Sequence, residues 1–214
     1  MKAIIIGASG ATGKSLVSRL LQADEFSEVT VLVRHNVFEA HPKLKQIVVD
    51  FERLNDFAEH ITGDVAFSCM GTTLKIAGSK AAQWKVDYDY QYLFAQIACH
   101  NGVPAFVLLS AQNANASSSI FYSKMKGRLE KVVEELHFNK LIILQPSLLI
   151  RPNTDRLTEK IGLKVIRAFN KLGLLEKLAP LHVNMVAAAM IKSVGAFNAM
   201  VKKIGVKEIA ELGK

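Results

Sequence analysis

Tyr122 and Lys126 stand four residues apart in "SSSIFYSKMKGRLEKVVEEL", residues 117–136. Four residues make just over one helical turn, so on a helix both side chains project from the same face. That pairing has a chemistry. Reduction of a carbonyl by hydride transfer requires a proton for the developing alkoxide, and a tyrosine hydroxyl can deliver it. An unperturbed phenol, with a pKa of about 10, exchanges its proton too reluctantly near neutrality. An adjacent ammonium in a cleft stabilises the phenolate, and a shift of ~3 units corresponds to roughly 4 kcal/mol. Ser110 closes the apolar run "AFVLLS" (105–110), and the short link to the helix can bring its hydroxyl beside Tyr122 to hydrogen-bond a substrate carbonyl. Ser110, Tyr122 and Lys126 are the candidate catalytic residues. A Tyr-x-x-x-Lys spacing alone arises often by chance, so its weight rests on the elements around it.

Six apolar, β-rich runs punctuate the chain: 2–6, 29–33, 46–50, 64–69, 105–110 and 140–145. They are near-continuously apolar rather than alternating, as expected of parallel strands covered on both faces. Helical patterns over about 12–23, 79–100 and 118–136 lie between several of them. That order predicts an α/β fold, a Rossmann-like doubly wound parallel sheet with right-handed crossovers. Beyond Gln145 the pattern loosens into helical stretches near 157–171 and 184–200 and a short tail. We expect a single domain over 1–214, in which 147–214 contributes the substrate pocket.

The first run ends in "IIIGASGATGKSL", where Gly7, Gly10 and Gly13 recur every three residues between a strand and a helix. Backbone N–H groups at a helix N-terminus can cradle a phosphate only where no Cβ intervenes, and glycine permits that approach. The phosphate loop of nucleotide triphosphatases nearly fits the same letters, through Gly13, Lys14 and Ser15. It lacks its first glycine, replaced by Ala8, and leaves the tyrosine and lysine unexplained. At the end of the second run, "VLVRH" places Arg34 where an NAD-binding chain carries an acid. A carboxylate would repel a 2′-phosphate, whereas a guanidinium clamps it, so NADP(H) is expected in preference to NAD(H).

The bulk numbers are those of a globular protein. A chain of 214 residues suffices for one core, and no apolar run approaches the roughly 20 residues that cross a bilayer. The formal charge of +8 is spread along the chain without aromatic interleaving, which argues against nucleic acid as a partner. The histidines and cysteines lack metal-ligand spacing, so no metal is expected. Two cysteines, Cys69 and Cys99, and an N-terminus without the apolar length of a signal peptide indicate a reduced compartment, read here as the cytoplasm.

The stretches "GASGATGK", "VVDFERL", "SCMGTT", "VDYDY", "LLSAQNA", "YSKMKGRLE", "VEELHF" and "LGK" resemble an atypical short-chain dehydrogenase/reductase, an NAD(P)-binding Rossmann protein. More narrowly, they are similar to the branch that includes the Tat-interacting oxidoreductase and its bacterial relatives. The resemblance covers essentially the whole chain. It implies that Gly7, Ser9, Gly10, Ala11, Thr12 and Gly13 line the pyrophosphate and that Arg34 sits at the adenosine ribose. It further implies that Asp50 and Phe51 flank the adenine, and that Cys69, Met70, Gly71, Thr72 and Pro146 pass beside the cofactor. Lys126 would also hold the nicotinamide ribose. The residues themselves leave two plainer readings open: Asp50 as a helix cap and Cys69 as a small buried apolar side chain. Two departures stand out. Ser147 follows Pro146 where many relatives carry glycine, and Asp87 replaces the asparagine of many short-chain enzymes, which argues against a proton relay through that position.

The function expected is an NADP-dependent oxidoreductase moving a hydride to or from a small carbonyl or alcohol, in a monomer or homodimer without membrane partners. The competing expectation is a non-catalytic NADP-binding redox sensor or regulatory protein. An apolar substrate wall is expected from Leu148, Leu149, Ile150, Leu157 and Phe169.

Overall fold

The computed structural model describes residues 1–150 and 179–214. The expected helix near 157–171, with Leu157 and Phe169, lies outside the described residues. Elements follow in the order β1 (Lys2–Ile6), α1 (Ala11–Gln22), β2 (Glu28–Val33), β3 (Leu44–Val48), a 3-10 stretch (Phe51–His60) and β4 (Val65–Ser68). Next come α2 (Leu74–Ala77), α3 (Lys80–Trp84), a π-helical turn (Lys85–Asp89), α4 (Tyr90–His100), β5 (Ala105–Leu109), α5 (Phe121–Glu134) and β6 (Lys140–Leu144). The remainder is β7 (Leu149–Ile150), β8 (Leu181–His182), α6 (Val183–Ala196), β9 (Val201–Ile204) and α7 (Val206–Leu212).

Seven strands form one sheet in the order β3-β2-β1-β4-β5-β6-β9, and every neighbouring pair is parallel. β7 and β8 pair separately. The order reverses between β1 and β4, and the crevice at the carboxyl ends of those two strands is where open α/β sheets bind ligands. This is the doubly wound Rossmann-like sheet that the sequence predicts, in a single domain.

The continuous apolar runs have a direct cause. Ala3 and Ile5 point to one core cluster while Ile4 and Ile6 point to the other, and Val107 and Leu109 alternate likewise with Phe106 and Leu108. The first cluster includes Leu16, Val17 and Leu20 of α1 and much of α6. The second includes Phe94, Ala95 and Ala98 of α4 with Leu129 and Val133 of α5. Each fully buried aliphatic side chain contributes about 1.5–3 kcal/mol, so a strand with two covered faces is filled almost wholly by apolar residues, Thr30 of β2 and Ser68 of β4 being buried exceptions.

Several elements differ from the sequence expectation, among them α6, which ends at Ala196 rather than near 200. β3 lies two residues earlier than 46–50, because Leu44 and Lys45 pair with Val29 and Thr30 of β2 while Asp50 leaves the sheet to cap the 3-10 stretch. α5 starts at Phe121 rather than about 118, since the preceding serines do not cap it. Asn115 Oδ1 accepts from Ser117 N–H and Ser118 Oγ from Ile120 N–H, which folds a turn ahead of the helix. β9, "VKKI", falls in what the sequence presents as a tail. It is an edge strand with only Ile204 buried, and its charged residues conceal the pattern.

Candidate active site

A groove of about 510 Å³ opens along the carboxyl ends of β1, β2 and β4, and a pocket of about 170 Å³ lies toward β5 and α5. Gly10, Cys69, Met70, Gly71 and Thr72 line both, so the two cavities share a wall.

The glycine turn divides its labour. Gly7 has φ +74°, and a Cβ there would lie 2.4 Å from Met70 N and 2.5 Å from Cys69 C. A Cβ on Gly13 would lie 2.2 Å from Gly7 O and 2.7 Å from Ala8 Cα. Both glycines therefore let backbone pack on backbone. Gly10 is different, because its Cβ would meet only Gly7 O, at 3.3 Å, and the residue faces the groove. Gly10 is also the N-cap of α1, where no side chain caps the helix and no acid stands in the first turn. The N-terminus of α1 is thus open to an anion. Gly7, Ser9 and Gly10 line the groove, and Gly10, Ala11 and Thr12 line the pocket; Gly13 lines neither.

At the outer end of the groove stand Arg34, Asp50 and Phe51. Arg34 is exposed and makes no ion pair among the described residues. Asp50 does two things: Oδ1 accepts from Glu52 N–H at 2.9 Å, capping the 3-10 stretch, and the residue faces the groove. Phe51 packs on Tyr90, with ring centroids 5.7 Å apart. The Tyr90 hydroxyl donates to Glu52, whose carboxyl Lys85, and then Tyr90, hold below the usual range.

Cys69 is buried, and desolvation pushes its thiol up to about 12. Its Sγ lies 3.8 Å from Met190 Sδ, so the side chain packs rather than reacts. Pro146 is buried and lines neither cavity; its carbonyl accepts from Gln112 N–H at 2.8 Å. Of the expected substrate wall, Leu149 lines the pocket, whereas Leu148 is exposed and Ile150 lines neither cavity.

Ser110, Tyr122 and Lys126 come together in the pocket, joined by Asp87 and Leu149. α5 explains their meeting. Tyr122, Lys126, Glu130 and Glu134 recur every four residues along it, while Met125, Leu129 and Val133 bury the adjacent stripe. Gly127 lets the loop press against this helix, since a Cβ would lie 2.2 Å from Ala116 N. Tyr122 sits in the first turn, 41% exposed, and its hydroxyl makes no hydrogen bond among the described residues. Lys126 is buried, and its Nζ lies 3.3 Å from Asp87 Oδ1. Asp87, on the π-helical turn, accepts Thr72 N–H at Oδ2, 2.9 Å away. Burial raises its carboxyl above the usual range, against the opposing pull of Lys126 and of the Thr72 N–H.

Ser110 is held differently from the expectation. Its hydroxyl donates to Glu130 Oε1, so its lone pairs, not its proton, remain for a ligand. Glu130 also accepts from Gln145 Nε2 at 2.9 and 3.0 Å and pairs with Lys203 of β9 at 3.1 Å. Lys203 in turn pairs with Glu134 at 2.7 Å. The sequence offered one signal for Glu130, its place four residues past Lys126; nothing in it pointed to Gln145 or Lys203. Among the described residues no group of three or more His, Cys, Asp or Glu could hold a metal ion.

Comparison with known proteins decides the relationship. A family described as NAD(P)H-binding matches residues 7–166. The chain belongs to this NAD(P)H-binding family. Within it, the chain is 40% identical over 169 residues to Protein HTATIP2 of Rattus norvegicus, covering 77% of this chain and 68% of that one. It is 31% identical over 181 residues to Protein FMP52, mitochondrial, of Saccharomyces cerevisiae, covering 78% of each. These relatives bear out the branch of NAD(P)-binding proteins that the motifs indicate. More distant proteins share the fold. The structure of MoeE5 in complex with UDP-glucose and NAD superposes with a TM-score of 0.72 at 14% identity, over 100% of this chain and 81% of that one. A UDP-glucose 4-epimerase of Thermotoga maritima gives 0.71 at 14%, over 100% and 82%. The FMP52 relatives of Saccharomyces cerevisiae, Eremothecium gossypii and Coccidioides immitis are named mitochondrial, which overturns the cytoplasmic expectation. That expectation rested on cysteine count, which speaks against a disulfide framework but does not tell one reducing compartment from another.

Proposed function

We propose that the chain is an NADP(H)-dependent oxidoreductase that interconverts a small carbonyl compound and its alcohol. The observation that carries this is the meeting of Ser110, Tyr122 and Lys126 in the pocket that shares a wall with the groove. The groove residues fit a dinucleotide. Gly10 leaves the N-terminus of α1 open for the phosphates, and Arg34, without an ion pair among the described residues, offers its guanidinium at the far end for a 2′-phosphate. When bound, the nicotinamide supplies or accepts the hydride.

Every other step belongs to the chain. Tyr122 gives its hydroxyl proton to the oxygen of the reduced carbonyl and takes it back in the reverse direction. Lys126, a buried cation one turn away, stabilises the phenolate left behind. Ser110, with its proton engaged by Glu130, has only lone pairs to offer and can accept from a hydroxyl donor of the substrate, while the carbonyl oxygen takes its hydrogen bond from Tyr122. Leu149 supplies apolar wall, and Lys126 and Asp87 at the back of the pocket are buried from water that would screen their charges.

One observation favours a binding-only reading, in which the protein senses or is regulated by NADP. Both Lys126 and Ser110 are engaged by carboxylates. Turnover separates the two. A carbonyl panel with NADPH oxidation as readout should show activity that Tyr122→Phe removes; NADPH binding without turnover of any panel member would support the sensor.

A further inference from the structure

Asp87 is the buried group that this chemistry leaves without a task. It is fully inaccessible to solvent, on an isolated π-helical turn between α3 and α4, and such turns concentrate at functional positions. Its two oxygens have different surroundings. Oδ2 is satisfied by Thr72 N–H. Oδ1 receives no hydrogen bond among the described residues, lies 3.3 Å from Lys126 Nζ, and belongs to a residue lining the pocket. Gly71 makes room for it, because a Cβ there would lie 3.3 Å from the same oxygen. A carboxylate brought this deep against an ammonium is costly to bury, and a neutral side chain would pack the turn as well.

We propose that Asp87 is a positioning residue that holds the Lys126 ammonium and offsets its field at Tyr122, biasing the site toward the protonated tyrosine and so toward carbonyl reduction. The proposal rests on the function argued above. With Asp87 ionised, the pair presents almost no net charge, so the carboxylate offsets much of the stabilisation that Lys126 gives the phenolate. Reduction needs the tyrosine proton at the outset; oxidation of the alcohol needs phenolate to receive one. The carboxylate therefore favours the first direction and moves the second to higher pH. Hydride and proton balance in each case: in reduction, hydride reaches carbon and the Tyr122 proton reaches oxygen, and in oxidation both return. Among the described residues the other titratable groups around the pair are few. Tyr122 is on the same helix as Lys126, as is Glu130 one turn on, which is itself held by Lys203 and Ser110. Cys69, from the end of β4, stays a neutral thiol. The remaining contact is the Thr72 N–H.

The test is Asp87→Asn, which preserves shape and an acceptor for Thr72 N–H while removing the charge. With tyrosine labelled at Cζ, carbon NMR reads the four tyrosines separately, and Tyr122→Phe assigns the relevant signal. The Tyr122 titration midpoint should fall by about one pH unit in Asp87→Asn, and rise by a similar amount in Lys126→Met. The pH profile of alcohol oxidation should shift downward in parallel. An unmoved midpoint in Asp87→Asn, with wild-type circular dichroism and NADPH affinity, overturns the proposal. If Asp87→Asn misfolds, Asp87→Ser, which also removes the charge, carries the test: an unmoved midpoint there overturns it too. These titrations need no substrate, so their failure is distinct from failure of the oxidoreductase reading, which is decided by Tyr122→Phe turnover.

Discussion

Placing side chains on Gly10 and Gly13 separates ligand approach from packing within one turn. At Gly13 a Cβ would lie 2.2 Å from Gly7 O and 2.7 Å from Ala8 Cα, both backbone atoms that cannot swing aside. Gly13→Ala must push α1 away from β1, and overpacking of this kind costs about 1–3 kcal/mol or more. For a domain of this size each kcal/mol lowers Tm by about 2–4 °C, so the upper figure corresponds to roughly 6–12 °C. At Gly10 the Cβ meets a single atom at 3.3 Å, a contact relieved by a few tenths of an ångström, and the branches of a valine enter the groove. Gly10→Val should therefore leave Tm within about 2 °C of wild type, under 1 kcal/mol. It should weaken NADPH more than about a hundredfold, about 2.8 kcal/mol. Differential scanning calorimetry gives the first quantity and quenching of protein fluorescence by NADPH the second. The argument fails if Gly10→Val binds NADPH normally, which would put the phosphates elsewhere, or if Gly13→Ala melts like wild type.

Arg34→Ala should weaken NADPH selectively, by about 1–3 kcal/mol for a charge-assisted contact, with NADH nearly unchanged; equal wild-type affinities for the two cofactors would refute the assignment. Tyr122→Phe should lower turnover by roughly 10²–10⁴-fold while stability and NADPH affinity hardly move, and a loss below about threefold refutes the general-acid role. Lys126→Ala should differ by reducing cofactor affinity and turnover together. Lys203→Met leaves Glu130 buried without its cation, and should cost about 1–3 kcal/mol by urea denaturation after allowance for the exposed lysine end. Burial disfavours the Lys203 charge, but Glu134 and Glu130 outweigh it and raise its pKa. The cluster's contribution is therefore full through neutrality and is lost as pH climbs past the ordinary lysine range; Lys203→Met should flatten that alkaline decline.

Much of this protein could be read locally. Unbroken apolar runs demand two covered faces, so six strands and their parallel arrangement follow from composition alone. The glycine spacing marks a turn where backbone comes close to something, and four-residue spacing places Tyr122 and Lys126 on one face of α5. What that backbone approaches is a tertiary matter: Gly7 and Gly13 press on Met70 and Ala8, whereas Gly10 has open room on the groove side. β9 escaped notice because an edge strand buries one face, and "VKKI" shows a single buried residue. Missing it meant missing Lys203, whose charge belongs to Glu130 only through the pairing of β9 with β6. Ser110 was recognised by position, but the direction of its hydroxyl was set by Glu130, twenty residues away. Asp87 shows the same division. Its letter is visible in "KVDYDY", yet its burial against Lys126 required the π-helical turn and α5 to meet. Periodicity reports which face of an element is covered, because that is a property of neighbours along the chain. Which charge faces which across 15 to 73 residues depends on how the elements dock, and no local pattern records it.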